Sequence, residues 1–248
     1  MMKNAIFLLF LLFASRAQAQ GATDIVKAAD QLMQGTSSQG EMLMQIVRPK
    51  WTREIKIKSW SQRNEYSLML ITAPARDAGT GFLKREKELW NWQPTIDRVI
   101  KMPPSMMMQS WMGSDFTNDD LVRESSIVRD YTHELLGDTT MQGYDTWILE
   151  LIPLEDAPVV WGAIKAYITK KDYYQLMVKY YDEDSYLINT MSMSEIKQMG
   201  NRKIPSRLEM VPAENPEQKT ILIYLSMEFD VQMDSKFFSI QNMKNIRY

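Results

Sequence analysis

From Trp51 to Asp230 the apolar residues recur at every second position, and outside one interruption at 102–124 no helical period separates one such run from the next. That alternation restricts the chain to an antiparallel, mainly β architecture, because parallel strands need long crossover connections, usually helical. A doubly wound nucleotide-binding sheet is thereby ruled out.

The individual runs have the spacing of a meander. Trp51, Ile55 and Ile57 alternate with Thr52, Glu54, Lys56 and Lys58, which describes a half-buried strand with one wet face. Tyr66, Leu68 and Leu70 form the next run. Phe82 to Arg85, Glu88 to Gln93 and Ile96 to Met102 read as three short strands, the last two divided by a turn at Pro94. Tyr131 to Thr140 and Tyr144 to Ile152 flank Met141-Gln142-Gly143, a hairpin turn. Val160 to Thr169, Tyr173 to Tyr181 and Tyr186 to Ser194 continue the series across Lys170-Lys171-Asp172 and Asp182-Glu183-Asp184-Ser185. Arg207 to Val211 and Thr220 to Asp230 complete roughly ten to twelve strands, within the usual range of strand lengths. No linker or composition shift divides them, so residues 20–248 are expected to form one domain.

Two stretches depart from the alternation near the start. Lys3, the apolar run Ala5 to Ala14 and Ala17-Gln18-Ala19 before Gln20 have the plan of a cleavable secretory signal peptide spanning residues 1–19. An apolar run of that length is too short for a bilayer, which needs roughly 20 residues. Cleavage after Ala19 removes Lys3 and Arg16, leaving 27 basic against 31 acidic residues, a balance unsuited to nucleic acid. No cysteine follows to carry a lipid. The expected product is exported and not lipidated. Between Ala22 and Gln34, Ile25, Ala28, Ala29, Leu32 and Met33 recur at helical offsets, with Thr23 placed to cap the start and Gly35 to close the end.

The interruption after Lys101 is different again. Met102-Pro103-Pro104 breaks the ladder, Met106-Met107-Met108 and Trp111-Met112 follow, and Thr117 with Asp120 has the spacing of a capping box, which predicts a short helix over Asp119 to Arg123. An apolar, Met-rich insertion must cover something. It reads either as a core plug or as a flap formed by Met106, Met108, Trp111 and Met112, hinged at Gly113.

Composition removes most catalytic chemistries. Without cysteine there are no disulfides, thiolate metal sites or cysteine nucleophiles. His133 is the one histidine, so a catalytic triad has one possible base, and no G-x-S-x-G elbow is present to expose a nucleophile; neither phosphate-binding glycine motif occurs, so a nucleotide cradle is absent. The expectation is a binding protein rather than an enzyme, with no cofactor and no metal. His133 is expected to be structural or exposed.

What stands out is the supply of large, soft side chains: 18 methionines beyond residue 19 and seven tryptophans. Sheet cores usually favour stiff β-branched residues, whereas Met and Trp suit walls that adapt to a guest. One helix and a short second one are little cover for so many one-sided strands, so a curved sheet enclosing a cavity is expected. The alternation predicts a lining of Trp51, Ile55, Ile57, Leu68, Leu70, Trp90, Trp92, Trp147, Leu149 and Trp161. An alternative reading gives the methionines to a soft metal such as copper, through Met106-Met107-Met108, Met42 with Met44, or Met191 with Met193. A third leaves the interior filled, as a structural or interaction module.

Leu89-Trp90-Asn91-Trp92-Gln93-Pro94, Arg98-Val99-Ile100, and Met112-Gly113-Ser114-Asp115-Phe116 with Asp119-Asp120-Leu121 resemble the outer-membrane lipoprotein-sorting family of the LolA-like superfamily. The likeness continues through Gly143 to Leu151, Trp161 to Tyr181, Gly200-Asn201-Arg202-Lys203-Ile204-Pro205 and Phe237-Phe238-Ser239. It implies an unclosed antiparallel β-barrel whose concave face is covered by helices, in a periplasmic carrier that holds acyl chains of a lipid or lipoprotein on the way to the outer membrane. It also implies an RND-type inner-membrane permease as partner. The cavity arginine of the better-known carriers has no matched position here; Arg53, Arg98 and Arg129 are candidates.

Overall fold

The computed structural model describes residues 21–62, 65–86, 88–123 and 126–246. The expected signal peptide lies outside them. Residues 21–34 are helical (α1). The strands follow as β1 (Ser37–Arg48), β2 (Trp51–Gln62), β3 (Tyr66–Ala73), β4 (Gly81–Arg85), β5 (Glu88–Gln93) and β6 (Arg98–Lys101). After the insertion come β7 (Tyr131–Met141), β8 (Tyr144–Pro153), β9 (Ala163–Thr169), β10 (Gln175–Tyr181), β11 (Leu187–Met199), β12 (Arg202–Pro212) and β13 (Lys219–Phe229). A short helix, α2 (Ile240–Asn245), ends the described chain.

All 13 strands form a single sheet in the order β6-β5-β4-β3-β2-β1-β13-β12-β11-β10-β9-β8-β7. Two antiparallel meanders, one from each half of the chain, are joined where β1 pairs with β13. Because β6 and β7 do not pair, the sheet is an open half-barrel, as expected. Strand β1 belongs to no run identified from the sequence: Ser37, Ser38, Gln39 and Gly40 are polar or small and hide its beginning.

The α1 stripe facing the sheet is Ala22, Val26 and Ala29, each 1% exposed. These small residues let the helix sit close to Met44 and Ile55 in the main core. Both ends of α1 are fastened. Thr23 Oγ1 lies 3.0 Å from His133 Nδ1, and the other ring nitrogen of His133 meets the Ile127 carbonyl at 2.7 Å, so the histidine is a buried structural residue. At the far end Arg202 Nη1 donates to the last-turn carbonyls of Gln31 and Leu32, at 2.8 and 3.3 Å, while its other nitrogen pairs with Asp230.

The register corrects the assignment of faces. Ile57 pairs with Met42 on one side and Ile71 on the other, and Ile55 pairs with Met44, so these side chains share the concave face. Leu68 instead stands opposite Trp60 and Leu83, and Leu83 opposite Trp90. Leu68, Leu70, Trp90 and Trp92 therefore point to the convex face, one residue out of phase with Ile55 and Ile57. That face is dry because the chain returns over it: Phe238 and Met243 are 0% and 1% exposed and pack with Leu68, Leu83 and Trp92. Strands β3 and β4 are thus buried on both faces, and Leu68-Met69-Leu70-Ile71 is the continuous apolar run that such burial demands. Gly81 permits the covering layer to approach, since a Cβ there would lie 2.6 Å from Met243 Cγ.

Candidate ligand cavity

A cavity of about 240 Å³ opens inside the half-barrel. Its walls come from α1, β1, β2, β3, β9 and β10 to β13, and its lid from the insertion between β6 and β7. Six methionines face it: Met33, Met42, Met69, Met191, Met193 and Met227. Three of them stand opposite apolar partners: Met42 opposite Ile57 and Tyr224, Met191 opposite Val178 and Met210, and Met193 opposite Leu208. The offset-two pairs Met42 with Met44 and Met191 with Met193 are the sequence signal for this wall.

Placement of the predicted lining is mixed. Trp161, 6% exposed, faces the cavity. Ile55, Ile57, Leu149 and Leu151 lie on the concave face in the surrounding core, and Trp147 packs against its border, tilted on Tyr173 at 5.9 Å. Leu68, Leu70, Trp90 and Trp92 are on the other side of the sheet, as the register requires. Trp51 is not interior at all: it is 51% exposed at the β1–β2 turn, with the Arg48 guanidinium 5.9 Å from its ring. Its neighbours in the same strand alternate correctly, but the strand begins at the rim, beyond the reach of the core. Among the arginine candidates, Arg98 and Arg129 are exposed, and Arg53 is committed to Asp77 at 2.7 Å and the Met112 carbonyl at 3.1 Å.

The insertion folds as a tight loop. Trp111 is fully buried against Phe82, ring centroids 5.2 Å apart, and its amide and carbonyl are bonded to Phe116 and Ser114. Met107 is buried, Met106 and Met112 half-buried, and Met108 65% exposed. Two arginines grip the loop from below. Arg48 donates to both oxygens of Asp115, at 3.0 Å each, and to the Gly113 carbonyl at 3.1 Å. Thr220 Oγ1 donates to Asp115 Oδ2 at 2.6 Å and accepts from the Asp115 amide.

The expected short helix at Asp119–Arg123 is present as a single π-type turn. Its capping box is complete: the Thr117 amide donates to Asp120 Oδ2 at 2.8 Å, and the Asp120 amide to Thr117 Oγ1 at 3.1 Å. The other oxygen of Asp120 accepts from Trp161 Nε1 at 3.1 Å. Trp161 in turn lies on Tyr180, centroids 4.9 Å apart. In the sequence Asp120 has the signature of a helix cap and Tyr180 that of a strand residue, and neither carries a signal for the cavity. Burial pushes the Asp120 carboxyl above the usual carboxylate range, against the bonds from Thr117 and Trp161. Burial, with Asp120 nearby, pushes the Tyr180 phenol well above 10, so it stays protonated.

A second, more open recess of about 400 Å³ lies outside, between Met108 and Ser110 of the loop and Val160, Asp182 and Asn189 of the strand ends. Phe116 and Trp161 line both spaces and form the partition between them. Trp161 can reach this position because β9 starts later than expected, at Ala163. Gly162 passes so close to the β10–β11 turn that a Cβ would meet the Asp182 carbonyl at 2.4 Å.

A family model described as "Uncharacterized protein" matches residues 63–245, about three quarters of the chain. The chain belongs to that family. No curated protein matches it. Among solved structures, a domain from Vibrio parahaemolyticus assigned to outer membrane lipoprotein sorting superimposes with a TM-score of 0.81 at 21% identity, covering 92% of this chain and 100% of that one. A DUF1329 family protein from Desulfovibrio piger gives 0.82 at 21% identity, with 91% and 99% covered. A LolA superfamily protein from Nitrosomonas europaea gives 0.77 at 20%, with 89% and 98% covered. The half-barrel of this chain is therefore the fold that these three structures share.

Proposed function

We propose that the protein is a periplasmic carrier that shields acyl chains of a lipid or lipoprotein in the half-barrel, for transfer toward the outer membrane. The observation that carries this reading is the interior cavity walled by six methionines. Unbranched thioether side chains repack at low cost, so they accommodate flexible chains of varied length. Each methylene buried there contributes about 0.8 kcal/mol, which makes two long chains sufficient for tight binding with no hydrogen bond. The structures superimposed above, two of them assigned to lipoprotein sorting or to the LolA superfamily, support the same role. No described helix is long and apolar enough to cross a membrane. The reading includes export by the signal peptide at 1–19, a single domain from residue 20, no lipidation, no enzymatic activity, and delivery from an RND-type inner-membrane permease.

In this scheme the insertion is the gate. Trp111 anchors it, Phe116 and Trp161 divide the outer recess from the interior, and the exposed Met108 with Met106 and Met112 meets the cargo first. Native mass spectrometry of protein purified from an exporting host tests the carrier. Adducts of lipid mass are expected; protein that emerges bare and takes up no added lipid would overturn it.

The convergence of six thioethers also favours one second reading, a soft-metal site. The Met106-Met107-Met108 run does not contribute to it, since its three side chains diverge from buried to exposed. Among the described residues no cluster of His, Cys, Asp or Glu could hold a metal. A copper mass in the same spectra would replace the lipid carrier with this alternative.

A further inference from the structure

Four serines line the cavity from three adjacent strands: Ser38, Ser59, Ser61 and Ser67. Register sets three of them in a row, since Ser61 pairs with Ser38 on β1 and with Ser67 on β3. Ser59 stands one concave position further along β2, between Gly40 and Met69. The next concave positions are Met42, Ile57 and Ile71, so the wall turns from hydroxyl to hydrocarbon within two steps along the strands. Ser38 and Ser61 satisfy each other, their hydroxyls 2.8 Å apart. The half-buried Ser59 and Ser67 hydroxyls bond to no described residue. Ser38 lies at the start of β1 and Arg48 at its end, roughly 30 Å further on. Because Arg48 holds Asp115 beside Phe116, the serines occupy the end of the half-barrel away from the Phe116–Trp161 partition. At that partition both oxygens of Asp120 already accept, from Thr117 and Trp161.

We infer that the serine row is the head subsite of the cavity: it takes the hydroxyl-bearing polar end of an amphiphile such as an acylglycerol, and directs the chain along the methionine wall toward Phe116 and Trp161. This deepens the carrier reading and rests on it. A serine hydroxyl both donates and accepts, so Ser59 and Ser67 can pair with an alcohol or an ester carbonyl alike. A bare alkyl chain lying there would take water from both hydroxyls and return no bond. The same chain against Met42, Met191 and Met193 incurs no such cost. One end of the cavity therefore selects the head, and the cargo has a fixed direction.

Displacement of a bound environment-sensitive dye from the purified chain tests the subsite with 1-decanoyl glycerol and methyl decanoate, which share chain and ester and differ in the two glyceryl hydroxyls. 1-Decanoyl glycerol is expected to compete about tenfold more tightly. The double variant Ser59→Ala, Ser67→Ala removes hydroxyls that bond to no described residue, so the fold and the dye site should persist while the ratio falls to within about twofold. A monoacylglycerol carrying a diazirine at its chain terminus reads the direction. Photolabel is expected at Met191, Met193 or Phe116. Equal competition in the unmodified chain, a ratio unchanged in the double variant, or label on residues 59–67 would overturn the subsite and leave the carrier standing. Failure of both probes to displace the dye would remove the carrier reading together with it.

Discussion

Arg48 and Asp115 form a two-pronged ion pair, both side chains largely buried at 13% and 7% exposure, across 67 residues of sequence. The pair ties the end of β1 to the loop over the cavity. Removing one partner leaves the other charge buried and uncompensated. Asp115→Ala is therefore expected to cost about 3 to 5 kcal/mol in chemical denaturation. Amide exchange across residues 106–118 should also rise in the folded protein.

Trp111 is fully buried, but its indole N–H has no hydrogen-bond partner among the described residues. Its contribution is volume and contact with Phe82, not polarity. Trp111→Ala should destabilise by about 3 to 5 kcal/mol, whereas Trp111→Phe, which sacrifices no bond, should cost far less. Met108→Ser, at an exposed site in the same loop, should lie within about 0.5 kcal/mol of the parent. A thermal or denaturant series on the three variants checks the order.

Hydrogen exchange with and without bound lipid examines the gate itself. Protection is expected to rise on binding in the loop around Met106 and Met108, and to change little at Trp111, which is already anchored. Exchange in the empty protein as slow throughout the loop as in β1 and β13 would make the whole insertion ordinary core.

The Asp120 carboxyl titrates above its ordinary value of 3.8 because burial disfavours its charge. For such a group the protonated form is the one the fold tolerates better. Its contribution to stability is fully present below pH 3.8 and is lost as pH rises through the folded-state value. Stability of Asp120→Asn relative to the parent should accordingly increase as pH rises across that window. A flat difference would mean that the carboxyl is solvated. Exposed Asp230, lowered by its bond from the Thr36 amide, has the opposite sign and is common to both proteins.

The sheet itself was legible because its turns and its period are local properties. The hairpin at Gln142-Gly143, the capping box at Thr117 and Asp120, and the helix before Gly35 all fall where residue chemistry places them. What could not be read was which face of β3 to β5 looks inward. Alternation marks a face only when the other is wet. In this region Phe238 and Met243, some 150 residues away, dry the second face and turn Trp90 and Trp92 into convex core. The same limit hid Asp120: its spacing from Thr117 announces a cap, but the cavity beside it is made by Trp161 and Tyr180 from distant strands. Trp51 shows the converse, an apolar residue in perfect alternation that the strand carries past the edge of the core.

The absence of pairing between β6 and β7 has a mechanical consequence. A closed barrel has its girth set by strand number and shear, and widening it means breaking a ladder. Here a free seam interrupts the circumference, so the interior can swell by small changes of twist shared among twelve strand pairs, each keeping its hydrogen bonds. In the proposed carrier such a sheet would match its volume to its contents without local unfolding and would spread the strain of a bulky guest across all its strands.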